Sequence, residues 1–247
     1  MSEIPRGEQS ENEKIKERLE TKLYVPRDVK GEPNREELKI VRDIEKELSK
    51  HSSFIGIAPF GSIISGHSIK DWEYNPVEQK IYESDIDLYV LCDNSKFRDE
   101  KDYLDFAETL KNTCLEESEK NNRKKIQAIL EIISIQGLIR DIKHYFDGNI
   151  EGFPETKLAE MSRVITGKKI EFYRKQISDE LQKLSISKQQ EAVDKITESL
   201  VRRDEISLSK RKKRMPELTK REHEEILEKR KEMWQRRVQK VWGLSEK

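Results

Sequence analysis

The amino-acid sequence predicts an α/β (α+β) fold, in which a small strand-containing module is followed by an all-helical C-terminal region. Two patterns indicate this fold class. Three short apolar segments with strand character occur before Leu138, and from Leu138 onward the apolar residues recur at helical spacing. Charged residues make up 40% of the 247 residues and the mean hydropathy is −0.91, so we expect a modest core beneath a highly charged helical surface.

The first predicted elements are a polar arm and an amphipathic helix. Residues 1–33 place proline and glycine between polar residues, which favours a mobile N-terminal arm. The helix is expected to begin at Asn34, whose side chain can form a capping box with Glu37. A single apolar stripe follows at helical spacing: Leu38, Val41, Ile44 and Leu48.

Three strands and one connecting helix are predicted within residues 34–150, which we interpret as one domain. The strands are FIGIAPF (54–60), DIDLYVLC (85–92) and IQAILEIISIQG (126–137), the last of which is expected to stop at Gly137. The segment before the third strand is expected to be an amphipathic helix, because apolar residues recur there at helical spacing: Tyr103, Phe106, Ala107, Leu110 and Cys114.

The remaining chain is predicted to contain helices alone. Residues 151–204 form a helical region, and residues 205–247 form a basic linker followed by an amphipathic helix that Pro216 opens. The apolar face of this last helix includes Trp234 and Trp242. We expect that face to dock on the body of the protein or on a second subunit.

The charge is unevenly distributed along the chain. Residues 201–247 contain 16 Lys and Arg against 9 Asp and Glu, whereas the whole chain has a formal net charge of zero. A basic tail on an acidic body can bind nucleic acid, bind an acidic partner or fold against its own body. We interpret the basic stretch 209–221 as a solvated linker, with a nucleic-acid contact through 205–247 as the alternative.

Several classes of protein and of site are not expected. Cys92 and Cys114 have no metal-binding spacing and are interpreted as small core residues. No apolar run approaches the roughly 20 residues that span a bilayer, and the N-terminus has no secretory pattern. We therefore expect a cytoplasmic protein without membrane contact. The four histidines form no pair at metal-ligand spacing: His51, His67, His144 and His223.

Two acidic residues at the start of the second strand are the strongest indication of chemistry. Asp85 and Asp87 point to the same face, because side chains two apart on a strand share a face about 6.6 Å apart. Two like charges that close are costly unless a cation lies between them. Mg²⁺ is commonly bound through one or two carboxylates together with substrate phosphates, so this pair predicts a magnesium site.

Further candidate residues lie on the neighbouring strands. Glu131 is placed among isoleucines, where an isolated carboxylate is expensive to bury, and it can complete a three-carboxylate cluster if the third strand lies beside the second. An edge strand or a salt bridge to a helix is the alternative for Glu131. Gly61 and Ser62 directly follow the first strand, where a glycine permits close approach of the backbone to phosphate oxygens.

The motifs Phe60-Gly61-Ser62 and Ser84-Asp85-Ile86-Asp87-Leu88 resemble the signature of the DNA polymerase β-like nucleotidyltransferase superfamily. The size and the helical C-terminal half are most similar to small bacterial and archaeal members, such as aminoglycoside nucleotidyltransferases and nucleotidyltransferase-type antitoxins. The resemblance covers about residues 54–136 and depends on six or seven positions. It implies a short mixed sheet flanked by helices in residues 34–150.

The resemblance also implies an activity. Asp85, Asp87 and Glu131 would be the catalytic metal ligands for Mg²⁺, with Mn²⁺ as a substitute, and Gly61 and Ser62 would hold the triphosphate of an NTP, with ATP favoured. The reaction would transfer a nucleoside monophosphate to an acceptor hydroxyl of a small molecule, an RNA 3′ end or a protein by a two-metal mechanism.

Two features depart from the family pattern. The segment between Ser62 and Asp85 is long, and the third carboxylate is glutamate where aspartate is commoner. Trp72 in that segment fits either a flap over the nucleotide or a surface hairpin. The alternative function is a catalytically weak or inactive interaction protein with the same fold, either an antitoxin-like partner or an RNA binder through its basic C-terminal region.

Overall fold

A three-stranded sheet and seven α-helices dominate the residues that the structure describes. The computed structural model describes residues 35–60, 73–75, 80–82, 85–123, 125–212 and 220–244. The helices are α1 (Arg35–Leu48), α2 (Glu100–Lys120), α3 (Ile135–Phe146), α4 (Glu155–Arg163), α5 (Ile170–Leu181), α6 (Ile186–Lys212) and α7 (Lys220–Trp242). The strands are β1 (Phe54–Phe60), β2 (Glu73–Asn75), β3 (Lys80–Tyr82), β4 (Ile86–Asp93) and β5 (Ile126–Ile133).

The main sheet is mixed and has the order β1-β4-β5. Strand β4 lies in the centre, antiparallel to β1 and parallel to β5, and α2 connects the two parallel strands. Strands β2 and β3 form a separate antiparallel pair. The mixed α/β class is therefore confirmed, and helices make up most of the described structure.

Strand β4 alternates as its sequence predicts. One face is completely apolar and buried: Ile86, Leu88, Val90 and Cys92. On the other face Asp87 and Tyr89 are half-buried, whereas Leu91 and Asp93, further along the strand, are buried. The face that carries Asp87 and Tyr89 is therefore partly accessible to solvent at the beginning of β4 and buried at its end.

Helices α1 and α2 pack against each other beside the sheet, with α1 against β1 and α2 against β5. Helix α1 buries three residues of its predicted stripe, Val41, Ile44 and Leu48, together with Ile40 beside it. Helix α2 begins after Asp99, whose side chain accepts the backbone N–H of Asp102, and it buries Phe106, Leu110 and Cys114. Cys92 and Cys114 are both free and buried, as predicted.

The outer edge of β1 is covered by the loop between α4 and α5. The N–H of Ile57 donates to the carbonyl of Thr166 at 2.9 Å, and the N–H of Ile165 donates to the carbonyl of Ile57 at 3.1 Å. Gly167 permits this approach, because a Cβ atom there would lie 2.3 Å from the carbonyl oxygen of Ile55. Its φ of +154° also disfavours other residues.

Strand β5 is shorter than predicted. It ends at Ile133, and helix α3 begins at Ile135, so the predicted strand end at Gly137 is wrong. The reason is Ser134, whose hydroxyl oxygen accepts the N–H of Gly137 at 3.1 Å and caps the helix. Gly137 therefore lies in the first turn of α3 rather than at the end of a strand.

The C-terminal helices form a packed layer of their own. Helix α6 runs from Ile186 to Lys212 and passes residue 205 without interruption. Helix α7 packs on α4, α5 and α6, and its residues Trp234, Val238 and Trp242 are completely buried. Docking of this helix on the body of the protein is thus confirmed. None of the described helices is both long and apolar enough to cross a membrane.

Candidate functional site

Asp85 and Asp87 lie where the chain enters the central strand. Asp85 directly precedes β4, Asp87 is its second residue, and both side chains are half-buried on either side of the buried Ile86. The Oδ1 atom of Asp85 is buried and has no hydrogen-bond partner among the described residues. A buried carboxylate oxygen without a donor is costly, so this atom is suited to a cation.

The strand register brings the end of β1 to the aspartates. Phe60, the last residue of β1, is the antiparallel partner of Asp87. Gly61 and Ser62 follow Phe60 directly in the sequence but lie outside the described residues, as does Trp72. On the other side of β4, the position beside Asp87 is Gln127 of β5, an amide rather than a carboxylate.

Glu131 is not brought to the two aspartates. Strand β5 does lie beside β4, but Glu131 is the register partner of Leu91, four residues beyond Asp87. Four residues of strand correspond to about 13 Å. The described residues contain no group of three or more His, Cys, Asp or Glu side chains placed to hold a metal ion. The expected three-carboxylate cluster is therefore reduced here to the pair Asp85 and Asp87.

An aromatic and cationic stack extends from the aspartate strand to helix α6. The ring of Tyr89, two residues after Asp87, stacks on Phe60 with the ring centroids 4.2 Å apart. The guanidinium carbon of Arg203 lies 5.1 Å from the centroid of Tyr89. Because Asp87 and Tyr89 share a face of β4, this stack places Arg203 of α6 near the two aspartates that are predicted to bind metal.

Arg203 is also paired with a buried glutamate of α4. Its Nη2 atom donates to Glu160 Oε1 at 2.6 Å, and the side chains are 24% and 3% exposed. Burial raises the pKa of Glu160, the ion pair with Arg203 opposes that rise, and the nearby charge of Glu131 adds to it. The charge of Glu131 therefore acts on Glu160 of the helical region.

A second charged cluster lies deeper between α4, α6 and α7, around the buried carboxylate of Asp204. Its Oδ2 atom accepts the indole N–H of Trp234 at 2.6 Å and an N–H of Arg230 at 3.1 Å. Its Oδ1 atom accepts from Arg163 at 3.5 Å. Burial lowers the pKa of Arg163 to about 10, while the charge of Asp204 acts in the opposite direction. Both carboxylate oxygens are occupied, so this cluster is structural.

The sequence analysis missed both Arg203 and Asp204. Asp204 carried a usable signal, because it continues a helical stripe of buried residues, Ile196 and Leu200, at intervals of four. A carboxylate at the next position of such a stripe predicts a buried charge with partners from another element. Arg203 gave no comparable signal, since its partners Tyr89 and Glu160 are distant in sequence.

A third group, at the start of α2, has the residue types of a hydrolytic triad. His51 contacts Ser53 Oγ through Nδ1 at 2.7 Å and Asp102 Oδ1 through Nε2 at 3.3 Å. Ser53, however, is completely buried, so its hydroxyl cannot reach a substrate. Hydrogen bonds from the Arg98 side chain and backbone hold the pKa of Asp102 well below its usual range. We assign this group to the stability of the junction between α1 and β1.

Comparison with protein-family models found no match for this chain, and comparison with curated proteins found none either. Any assignment of function therefore depends on the site itself.

Proposed function

We propose that the protein is a Mg²⁺-dependent nucleotidyltransferase, built on the nucleotidyltransferase fold, that transfers a nucleoside monophosphate from an NTP to an acceptor hydroxyl and releases pyrophosphate. The observation that carries the proposal is the pairing of Phe60 with Asp87. Through it, the strand preceding Gly61 and Ser62 ends beside Asp85 and Asp87. The described parts of the two motifs, Phe60 and residues 85–88, therefore lie at the same end of the same sheet.

Asp85 and Asp87 would hold the metal. Carboxylate oxygens are the ligands that Mg²⁺ prefers, and the Oδ1 atom of Asp85 lacks a hydrogen-bond donor among the described residues. Bound Mg²⁺ supplies charge neutralisation at the phosphates and activates a hydroxyl for attack. Glu131 has no part in this proposal, because the register places it about 13 Å along β5 from the position beside Asp87.

The chain's own residues would bind and orient the substrate. Gly61 and Ser62 would offer backbone N–H groups and a hydroxyl to the triphosphate. Asp85 and Asp87 are fixed by Ile86, which is buried between them and anchors the start of β4 in the core. A site on a rigid strand can hold the reacting groups in line, which is the main requirement of phosphoryl and nucleotidyl transfer.

The second candidate is an interaction protein in which the site has little or no activity. Gln127 beside Asp87 favours it, because an amide at this position supplies no negative charge to a second metal ion. A partner of such a protein would not bind the apolar face of α7, because Trp234 and Trp242 on that face are buried in the protein's own core. RNA binding through 205–247 would weaken steeply with salt and would be insensitive to substitution of the aspartates.

The test of the proposal is nucleotide binding followed by transfer. We expect Mg²⁺ with one of the four NTPs to stabilise the wild-type protein against heat by about 2.7 kcal/mol at 100 times the Kd. The Asp85→Asn/Asp87→Asn variant should lose this stabilisation and the incorporation of α-labelled nucleotide into an acceptor. The matched control is Asp105→Asn, which changes an exposed aspartate of α2. Equal metal-dependent binding by all three proteins would contradict the proposal.

A further inference from the structure

Arg203 lies beside the proposed site although it belongs to the helical region. Tyr89 follows Asp87 by two residues on the same face of β4, so their Cα atoms are about 6.6 Å apart. The guanidinium of Arg203 lies over the Tyr89 ring, with its carbon 5.1 Å from the centroid. Helix α6 thus directs Arg203 toward β4, the strand at whose beginning Asp85 and Asp87 lie.

The hydrogen bonds of Arg203 are incomplete. A guanidinium and a carboxylate can form two parallel N–H to oxygen bonds. Arg203 and Glu160 form one, from Nη2 to Oε1 at 2.6 Å. The Nη1 atom of Arg203 and the Oε2 atom of Glu160 are buried without a hydrogen-bond partner among the described residues. The ion pair with Glu160 therefore leaves one buried guanidinium nitrogen of Arg203 without a hydrogen bond, as at Arg163 Nε.

The position of Arg203 is fixed from both sides. Glu160 holds the guanidinium, and the next residue, Asp204, is anchored by Arg230 and Trp234 of α7. The Arg203 side chain is 24% exposed, so part of it is accessible to solvent. The neighbouring Arg202 is exposed and has no such anchorage.

From these observations we infer that Arg203 is a binding residue for the phosphate groups of the nucleotide, contributed by α6 to the site at the beginning of β4. The inference rests on the proposed function. Two aspartates repel an anionic substrate, so the site needs cationic groups besides the metal. A guanidinium suits this role because its planar N–H groups match phosphate oxygens and it remains charged.

The experiment compares Arg203→Met and Arg203→Lys with the control Arg202→Met by calorimetric titration. The probes are inorganic tripolyphosphate without metal, ATP with Mg²⁺, and adenosine. We expect Arg203→Met to weaken tripolyphosphate and ATP binding about tenfold or more and to leave adenosine binding unchanged. Arg203→Lys, which keeps the charge but not the fork, should give an intermediate loss.

Loss of the pairing with Glu160 could also unfold Arg203→Met locally. The variant Arg203→Met/Glu160→Gln removes the charge left behind and should show the same loss of phosphate binding in a folded protein. Unchanged tripolyphosphate and ATP affinity in this variant and in Arg203→Lys would overturn the inference. The Asp85→Asn/Asp87→Asn variant separates the two proposals, since it should lose the metal-dependent binding of ATP but keep the metal-free binding of tripolyphosphate. Wild type that binds tripolyphosphate through Arg203 but no NTP with Mg²⁺ would contradict the proposed function and would retain only a phosphate-binding role for Arg203.

Discussion

Two aspartates, Asp204 in the helical region and Asp85 at the beginning of β4, differ in how their carboxylate oxygens are satisfied. In the helical region, Asp204 is buried and both of its oxygens accept hydrogen bonds, from Arg163, Arg230 and Trp234. At the beginning of β4, Asp85 keeps a buried oxygen without a donor among the described residues, and a second aspartate lies two residues away. A buried carboxylate with all its hydrogen bonds stabilises the fold, whereas a buried carboxylate that lacks a donor is retained when a ligand supplies the missing partner.

The largest effect is expected at Asp204. Asp204→Ala removes the acceptor shared by two buried arginines, and breaking a buried ion pair from one side costs about 3–5 kcal/mol. Denaturant unfolding followed by circular dichroism measures the change. Glu205→Ala, one residue further on the exposed side of α6, is the control and should have little effect. Similar stability of the two variants would mean that the cluster does not hold α7 in place.

The two buried tryptophans of α7 each donate a hydrogen bond, and the two bonds are expected to contribute differently to stability. Trp234→Phe removes a bond to a charged acceptor, the carboxylate of Asp204, at a cost of about 1–3 kcal/mol beyond the change in ring size. Trp242→Phe removes a bond to a neutral acceptor, the hydroxyl of Ser162, for which about 0.5–1.5 kcal/mol is expected. Free energies of unfolding in the reverse order would show that ring packing, rather than charge, dominates here.

Glu160 of α4, which pairs with Arg203, predicts that the free energy of unfolding depends on pH. Burial raises its pKa above the ordinary value of 4.5, so between that value and the folded-state pKa the folded protein binds more protons than the unfolded one. Stability therefore falls as pH rises through this window. Glu160→Gln should lose this decline, so the stability of wild type minus that of the variant should decrease with rising pH. A difference that increases with pH would show that the pair with Arg203 outweighs burial.

The sequence predicted the helices and strands better than the register between the strands. The bounds of β1 agree with the predicted segment 54–60, because a short apolar run between polar segments suits a buried strand. The start of α3 was missed, since Ile-rich sequence continues past Ser134 and only the cap reveals the change of structure.

The register distance between Glu131 and the aspartates could not be predicted from the sequence, for a specific physical reason. A register shift by an even number of residues leaves every side chain on its original face. The alternation of β5 therefore could not distinguish a partner of Asp87 at Gln127 from one at Glu131, four residues later. Likewise, Arg203 reaches Tyr89 through helix packing, which one-dimensional spacing does not encode.

The smallest change in stability is expected at the aspartates, and it is the most informative. Asp85→Asn removes one of two neighbouring charges and loses no hydrogen bond to Oδ1 from the described residues, so stability should change by less than about 1 kcal/mol. The thermal response to Mg²⁺ with NTP should nevertheless disappear. Denaturant unfolding without ligand and melting with ligand measure the two quantities separately. A loss of several kcal/mol without ligand would show that Asp85 is a structural residue like Asp204, and the contrast between the two regions would no longer indicate a binding site.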